Sequence, residues 1–257
     1  MVNKLHISPC PNDTFMFDGW VNERLAGELP QVELSYYDIE ELNRLLLEGV
    51  PAISKCSYAL LPAISEHYEL LDSGSALGRG NGPLLVRRKG EQGALKRVAV
   101  PGLHTTACAL MRRLYPEVEE LCPMLFSEIA EAVERGDFDG GVLIHEGRFV
   151  YERRHLELVA DLGLKWEAET GLPLPLGAIV IRRDLPKEYK KWIEETLRQS
   201  IRYAFDHPMV SRDYVKAHAR ELEDEVIEKH IALFVNHYSL SLGDEGRKAV
   251  KELCGVG

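Results

Sequence analysis

Gly141-Val142-Leu143-Ile144-His145 is an apolar run that ends in a histidine. Such a run reads as a strand, delivering its last side chain to the carboxyl end of a sheet, where α/β folds collect ligands. An imidazole titrates near neutrality, which makes His145 a candidate general base. Position alone does not decide the matter, because polar side chains at strand ends usually meet solvent. His145-Glu146 does not extend into the HExxH zinc motif, since Phe149 stands where the second histidine would be.

Three further loops carry polar groups at strand-to-helix junctions. Ser8-Pro9-Cys10-Pro11-Asn12-Asp13-Thr14 is held by two prolines and offers Asn12, Asp13 and Thr14 at a helix start, with Asn12 or Asp13 as cap. Capping alone does not call for two prolines around a cysteine. Ser54-Lys55-Cys56-Ser57-Tyr58 brings a cation and a hydroxyl to the start of a helix, where backbone N–H groups can also bind a carboxylate. Pro101-Gly102-Leu103-His104-Thr105-Thr106-Ala107 places two threonines at another helix N-terminus, a cradle for an anion or a polyol. It lacks GxxxxGK[ST], so no nucleotide phosphate is implied. Each of these loops could equally be a plain helix cap. No GxSxG is present from which to build a serine triad.

The elements that position these loops follow from periodicity and punctuation. Segments 5–8, 32–36 and 52–54 read as strands, alternating with helices 14–25, 39–48 and 58–65, which implies parallel βαβ units. Gly74 to Pro83 is too rich in glycine for a regular element. Strands at 84–87, 97–100, 140–144 and 158–160 follow, with helices at 105–114 and 128–135. A second break, Gly171-Leu172-Pro173-Leu174-Pro175-Leu176-Gly177, precedes a strand at 178–181 and a run of helices to the end. The two breaks bracket a middle block of roughly 90 residues, enough for a small domain. The expected architecture is α/β, a two-lobed clamp with mixed or parallel sheets and flanking helices. Lobe one would comprise 1–88 and 178–257, lobe two 89–177, with a substrate cleft between them. No internal repeat is visible.

Bulk properties narrow the function classes. A net charge of −10 argues against nucleic acid as a partner, because phosphate contacts need a basic face. No apolar run approaches the roughly 20 residues that span a bilayer, and the amino terminus shows no export signal, so neither a membrane nor an exported address is expected. Five scattered cysteines without a CxxC fit a reduced, cytoplasmic setting and no structural zinc. The expected partner is a small molecule, with no cofactor and no metal; oligomeric state is not legible.

Taken in order, SPCPNDTF (8–15), LEG…KCSY (47–58), ALGRGNGPL (76–84), VAVPGLHTTA (98–107), GVLIHEGRF (141–149) and TGLPLPLGAI (170–179) closely resemble one family. It is the 1,4-dihydroxy-6-naphthoate synthases of the futalosine route to menaquinone. The resemblance implies a fold like that of type II periplasmic binding proteins. It also implies a lyase that converts cyclic dehypoxanthine futalosine, with loss of a sugar-derived fragment. The family's proton acceptor falls on His145, and its substrate-binding stretches fall on Lys55, Cys56, Ser57 and on Thr106, Ala107. Asn12, Asp13, Thr14 and Thr105 are secondary candidates. Cys56 stands where the family pattern calls for an aliphatic residue; if the backbone makes the contact there the change matters little, and the thiol is not read as a nucleophile. Competing expectations are the chorismate dehydratase of the same pathway, which shares the fold, and a non-catalytic solute-binding protein.

Overall fold

A computed structural model describes residues 2–145, 147–219 and 223–255. The strands are β1 (Asn3–Ile7), β2 (Val32–Tyr36), β3 (Ile53–Ser57), β4 (Tyr68–Leu70), β5 (Ala76–Gly78), β6 (Leu84–Arg88), β7 (Arg97–Val100), β8 (Glu120–Pro123), β9 (Gly140–Leu143), β10 (Leu156–Asp161) and β11 (Leu174–Arg182). The helices are α1 (Pro11–Val21), α2 (Ile39–Leu47), α3 (Leu61–Ile64), α4 (Thr106–Leu114), α5 (Phe126–Arg135), α6 (Gly147–Val150), α7 (Leu162–Thr170), α8 (Lys187–Asp206), α9 (Arg212–His218), α10 (Asp224–Phe234), α11 (His237–Leu240) and α12 (Gly243–Cys254).

Among the described residues the strands form two sheets. The six-stranded sheet runs β2-β1-β3-β11-β4, with β5 also on β11; the five-stranded sheet runs β10-β6-β9-β7-β8. Each contains a parallel trio, β2-β1-β3 in one and β8-β7-β9 in the other, and adjoins it to an antiparallel strand, β11 or β6. The chain leaves the first strand of each trio in one direction and returns on its other side. That reversal opens a crevice at the strand ends, where α/β sheets bind ligands. The chain changes sheets between β5 and β6 and returns between α7 and β11, so Leu84–Arg88 lies in the five-stranded sheet and Leu174–Arg182 in the six-stranded one.

Both sheets are covered on both faces, so their central strands are largely buried, and the polar residues of β3, Ser54, Lys55 and Ser57, are buried with partners. Leu5, Ile7 and Ile53 pack under Phe15, Phe17 and Trp20 of α1 and under Ile193, Leu197 and Ile201 of α8, an i, i+4, i+8 stripe. On the opposite face Cys56, Ala178 and Val180 meet Tyr58, Tyr238 and Val250. In the second sheet Val98, Val100 and Val142 pack on α4 and Trp166, while Val86, Ala99 and Leu143 pack on α5.

Three local features depart from the sequence reading. The first helix begins at Pro11, so its cap is Cys10 rather than Asn12 or Asp13. Proline at the first helical position sacrifices an N–H that has no intrahelical partner anyway. The glycine-rich stretch contains a regular strand, Ala76–Gly78, because β11 lies alongside to pair with it. Finally, β11 starts at Leu174, inside the segment read as a break; Pro175 sits at a register irregularity opposite β5, where a missing N–H is tolerated. Further elements not anticipated are β4, β8, α6, α7 and α11. No described helix is long and apolar enough to cross a membrane.

Candidate active site

The ends of β1, β3, β7 and β9 converge on one cleft that encloses about 590 Å³ counted out to its open mouth. Its floor is a buried charge network. The Asp13 carboxylate, fully buried, accepts Ser8 N (3.0 Å), Ser8 Oγ (2.6 Å), Asn12 Nδ2 (2.8 Å) and Lys55 Nζ (2.6 Å). A carboxylate with this many donors is satisfied inside the protein, and its charge cancels that of Lys55. Lys55 reaches it because strand alternation turns Lys55 and Ser57 to the cleft and Cys56 away. Gly177 on the neighbouring strand keeps this path open, since a Cβ there would lie 3.1 Å from Lys55 Cε.

Asn43 of α2 fixes Ser57. Its Oδ1 accepts Ser57 N (2.9 Å) and its Nδ2 donates to Ser57 Oγ (3.1 Å), which leaves the hydroxyl proton of Ser57 to be donated elsewhere. Across the cleft Thr105 caps α4, its Oγ1 accepting Cys108 N (3.2 Å) and donating to Gly102 O (2.8 Å). The Thr106 hydroxyl donates to Leu176 O (3.1 Å) and accepts Ala59 N (3.4 Å). The N–H groups of Thr106 and Ala107, in the first turn of α4, find no acceptor among the described residues. They leave two donors at this end of the cleft, the kind of group that can hold an oxyanion. Glu40 ties the two sides together, its carboxylate meeting His104 Nδ1 at 2.8 Å and His104 N at 3.3 Å. Gly102, at φ 135, makes that approach possible, because a Cβ would lie 2.4 Å from the Glu40 carboxyl carbon.

His145 follows β9 and lines the cleft with φ 52, a left-handed conformation costly for a residue with a side chain. Phe126 of α5 approaches its ring edge-on at 5.0 Å. Cys10 Sγ lies 3.5 Å from Nδ1, and the ring of His230 lies nearly parallel, 14° off with centroids 6.0 Å apart. His230, wholly buried on α10, bonds through Nε2 to Asn12 Oδ1 at 3.0 Å. Because Asn12 Nδ2 donates to Asp13, the Asn12 oxygen is the acceptor and His230 carries its proton on Nε2. Burial first, and then the nearness of the basic groups His145, Lys55 and Arg148, holds the His230 pKa well below its ordinary 6.5. Arg148, on the turn after His145, lines the cleft with its guanidinium nearly buried, bonded to Gly80 O (3.0 Å) and 3.6 Å from Asp161. Burial draws its pKa down, and Asp161 opposes this.

Of the residues singled out from sequence, Asn12, Lys55, Ser57, Thr105, Thr106, Ala107 and His145 line one cleft. Asp13 sits beneath it as the counter-ion of Lys55. Thr14 does not reach the cleft, because its hydroxyl bonds back to Cys10 O at 3.1 Å. Cys56 is buried on the far face of β3, where burial raises its thiol pKa. Glu146 lies outside the described residues. Sequence reasoning did not single out Asn43, Arg148 or His230. For Arg148 a signal existed, a cation three residues past the histidine; His230 sits on an ordinary amphipathic helix with none. Among the described residues no group of three or more His, Cys, Asp or Glu side chains could hold a metal ion.

Known proteins add three kinds of likeness. The family model described as menaquinone biosynthesis matches residues 4–257. A 1,4-dihydroxy-6-naphthoate synthase of Thermus thermophilus is 46% identical over 252 residues, covering 97% of this chain and 92% of the relative. One of the same name from Streptomyces coelicolor is 41% identical over 252 residues, covering 96% and 89%. A solved protein of Archaeoglobus fulgidus, 32% identical, matches with a TM-score of 0.90 over 98% of this chain and 94% of its own. A Candida albicans protein described as having the generic periplasmic binding protein fold matches with a TM-score of 0.70 over 98% and 89%, at 13% identity. The last likeness speaks to fold alone, and the α/β architecture with mixed sheets and flanking helices agrees with it.

Proposed function

The chain belongs to the menaquinone biosynthesis family, and from that premise we propose that it is a lyase forming 1,4-dihydroxy-6-naphthoate from cyclic dehypoxanthine futalosine, with His145 as general base. The observation that carries this reading is the placement of His145 in the same cleft as Ser57 and the first turn of α4. Building the aromatic ring requires removal of a proton beside a carbonyl and expulsion of the attached fragment. A positioned base contributes roughly 10²–10⁴-fold to such a step. The electron pair released from the C–H bond passes through the carbonyl as an enolate and then expels the fragment, and aromatisation drives the sequence forward. The Ser57 hydroxyl and the amides of Thr106 and Ala107 are the donors for the developing oxyanion. Arg148, which lines the cleft while bonded to Gly80 O and paired with Asp161, is the cation assigned to the substrate carboxylate, and the pair of Lys55 and Asp13 forms the floor beneath it. The Glu40–His104 contact holds the cleft walls together while water is excluded. A cytoplasmic location accompanies this role in the reading.

The test is to incubate the purified protein with the cyclic substrate and, separately, with chorismate. Dihydroxynaphthoate from the first and no reaction with the second is expected. Dehydration of chorismate would transfer the chain to the sister activity, and binding of either compound without turnover would make it a solute-binding protein. His145→Gln is expected to lose roughly 10²–10⁴-fold in rate with its unfolding midpoint little changed. Full rate in that variant would remove His145 from its role.

A further inference from the structure

The ring of His145 is gripped from two sides of the cleft. Phe126 belongs to α5, on the five-stranded sheet that also carries His145 itself. Cys10 and His230 come from α1 and α10, which pack with the six-stranded sheet. We propose that Cys10 is a positioning residue for His145: its sulfur accepts the Nδ1–H of the neutral imidazole across the cleft, which fixes the tautomer whose basic nitrogen is Nε2. The inference rests on the reading of His145 as the base.

A neutral imidazole has one N–H and one lone pair, and what bonds to one nitrogen decides the character of the other. His145 lines both the main cleft and a narrow side pocket, whereas Cys10 lines only the side pocket, with Ser8, Pro9 and Pro11. The 3.5 Å contact puts the Nδ1 edge beside Cys10 at the side pocket, and in the proposed arrangement the other nitrogen, Nε2, serves the main cleft that His145 also lines. Were the thiol to donate instead, the lone pair would be spent at Nδ1, and the nitrogen facing the main cleft would carry hydrogen. It could not then accept a proton there.

The sulfur is held in place by more than its neighbours' bulk. Prolines flank it, Cys10 N donates to Ser8 Oγ at 3.4 Å, and Cys10 O accepts Asp13 N and Thr14 N, both at 3.1 Å. This gives the proline-cysteine-proline turn a purpose beyond starting a helix. His230 backs the ring from the same side. Kept neutral by burial, it adds no charge to oppose the one His145 acquires when it takes a proton.

Imidazole ¹H–¹⁵N spectra of the full chain, with His145 assigned by its loss in His145→Gln, report which nitrogen is protonated while the ring is neutral. The wild type is expected to show Nδ1–H. Cys10→Ala is expected to move toward Nε2–H, the form free histidine prefers, and Cys10→Ser to keep most of the Nδ1–H form. With the cyclic substrate, Cys10→Ala should lower kcat by about 3–10-fold, the usual worth of one neutral hydrogen bond, leave KM within about twofold, and recover in Cys10→Ser. An Nε2–H ring in the wild type, or a spectrum unchanged in Cys10→Ala, overturns the assignment. The tautomer is read without turnover, so a wild type that makes no naphthoate would overturn the proposed reaction and leave this result standing.

Discussion

Replacing Asp13 by alanine would strand three donors in the floor of the cleft. The carboxylate is the shared acceptor of Lys55 Nζ, Ser8 N, Ser8 Oγ and Asn12 Nδ2, and the side chains of Lys55 and Asp13 are only 5% and 0% exposed. Ser8 Oγ can rotate toward another acceptor, but the ammonium, the amide and the Ser8 N–H cannot follow. Removing one partner of a buried ion pair costs about 3–5 kcal/mol, because the other charge remains desolvated. A chain of this length loses roughly 2–4 °C of Tm per kcal/mol, so Asp13→Ala should melt roughly 6–20 °C lower. Lys55→Met leaves the carboxylate with its three neutral donors and should cost less, about 1–3 kcal/mol. The double variant Asp13→Leu with Lys55→Met removes both charges together, and its loss should fall well short of the sum. Urea unfolding followed by the fluorescence of Trp20 and Trp166, both buried, gives the four corners of this cycle. A loss below about 1 kcal/mol for Asp13→Ala, or strict additivity in the double variant, would refute the view that this pair organises the cleft.

Gly82 stands where two backbones touch, a Cβ there falling 2.2 Å from Gly163 N, so Gly82→Ala should cost about 1–3 kcal/mol or more; an unchanged melting temperature would contradict this. His230 has a folded-state pKa below the 6.5 of the unfolded chain, so its contribution is complete above pH 6.5 and is lost as pH falls toward the folded value. Unfolding free energies from urea titrations below pH 6.5 should therefore decline by up to about 1.4 kcal/mol per pH unit for each such histidine. His230→Gln, which keeps a donor for Asn12, should flatten that slope without abolishing it, because His6 is shifted the same way by burial; an identical slope in the variant would count against it. Arg148→Leu should raise KM for the cyclic substrate roughly 10–100-fold, the worth of a charge-assisted hydrogen bond, and an unchanged KM would exclude it as the carboxylate partner.

The fold was legible where local pattern and tertiary context agree. Ile39–Leu47 carries an aspartate cap, acidic residues in its first turn and an apolar stripe, and it forms as read. Val32–Tyr36 and Arg97–Val100 likewise become the strands their residues suggest. What failed to show were elements held by a partner rather than by themselves. Ala76–Gly78 is a strand only because β11 runs beside it, and Tyr68–Leu70 only because the same strand's far end does. The correspondence between the two parallel trios is also invisible in sequence. It resides in strand order and crossing direction, which place no demand on residue identity beyond apolar strands and short loops.

The site divides along the same line. His145, Lys55 and Ser57 could be read because a polar residue closing an apolar strand departs from the local pattern, and the departure is visible in one dimension. Asn43 and His230 could not, because each sits on a helix whose periodicity allows one buried position to be polar, and only the partner across the fold explains the choice. Asn43 bonds Ser57 fourteen positions away; His230 bonds Asn12 across 218 positions. Asp13 shows how the two kinds of information combine. In sequence it is one of two equivalent helix caps. In the fold it cannot cap, because Cys10 already holds that position, and the carboxylate turns inward to meet Lys55. In the proposed reaction Arg148, paired with Asp161 much as Lys55 is with Asp13, and the amides of α4 would meet the anionic groups of the substrate, on the same wall as His145. The six-stranded side would then contribute the Ser57 hydroxyl and the groups proposed to aim His145, so on this reading neither wall of the cleft suffices alone.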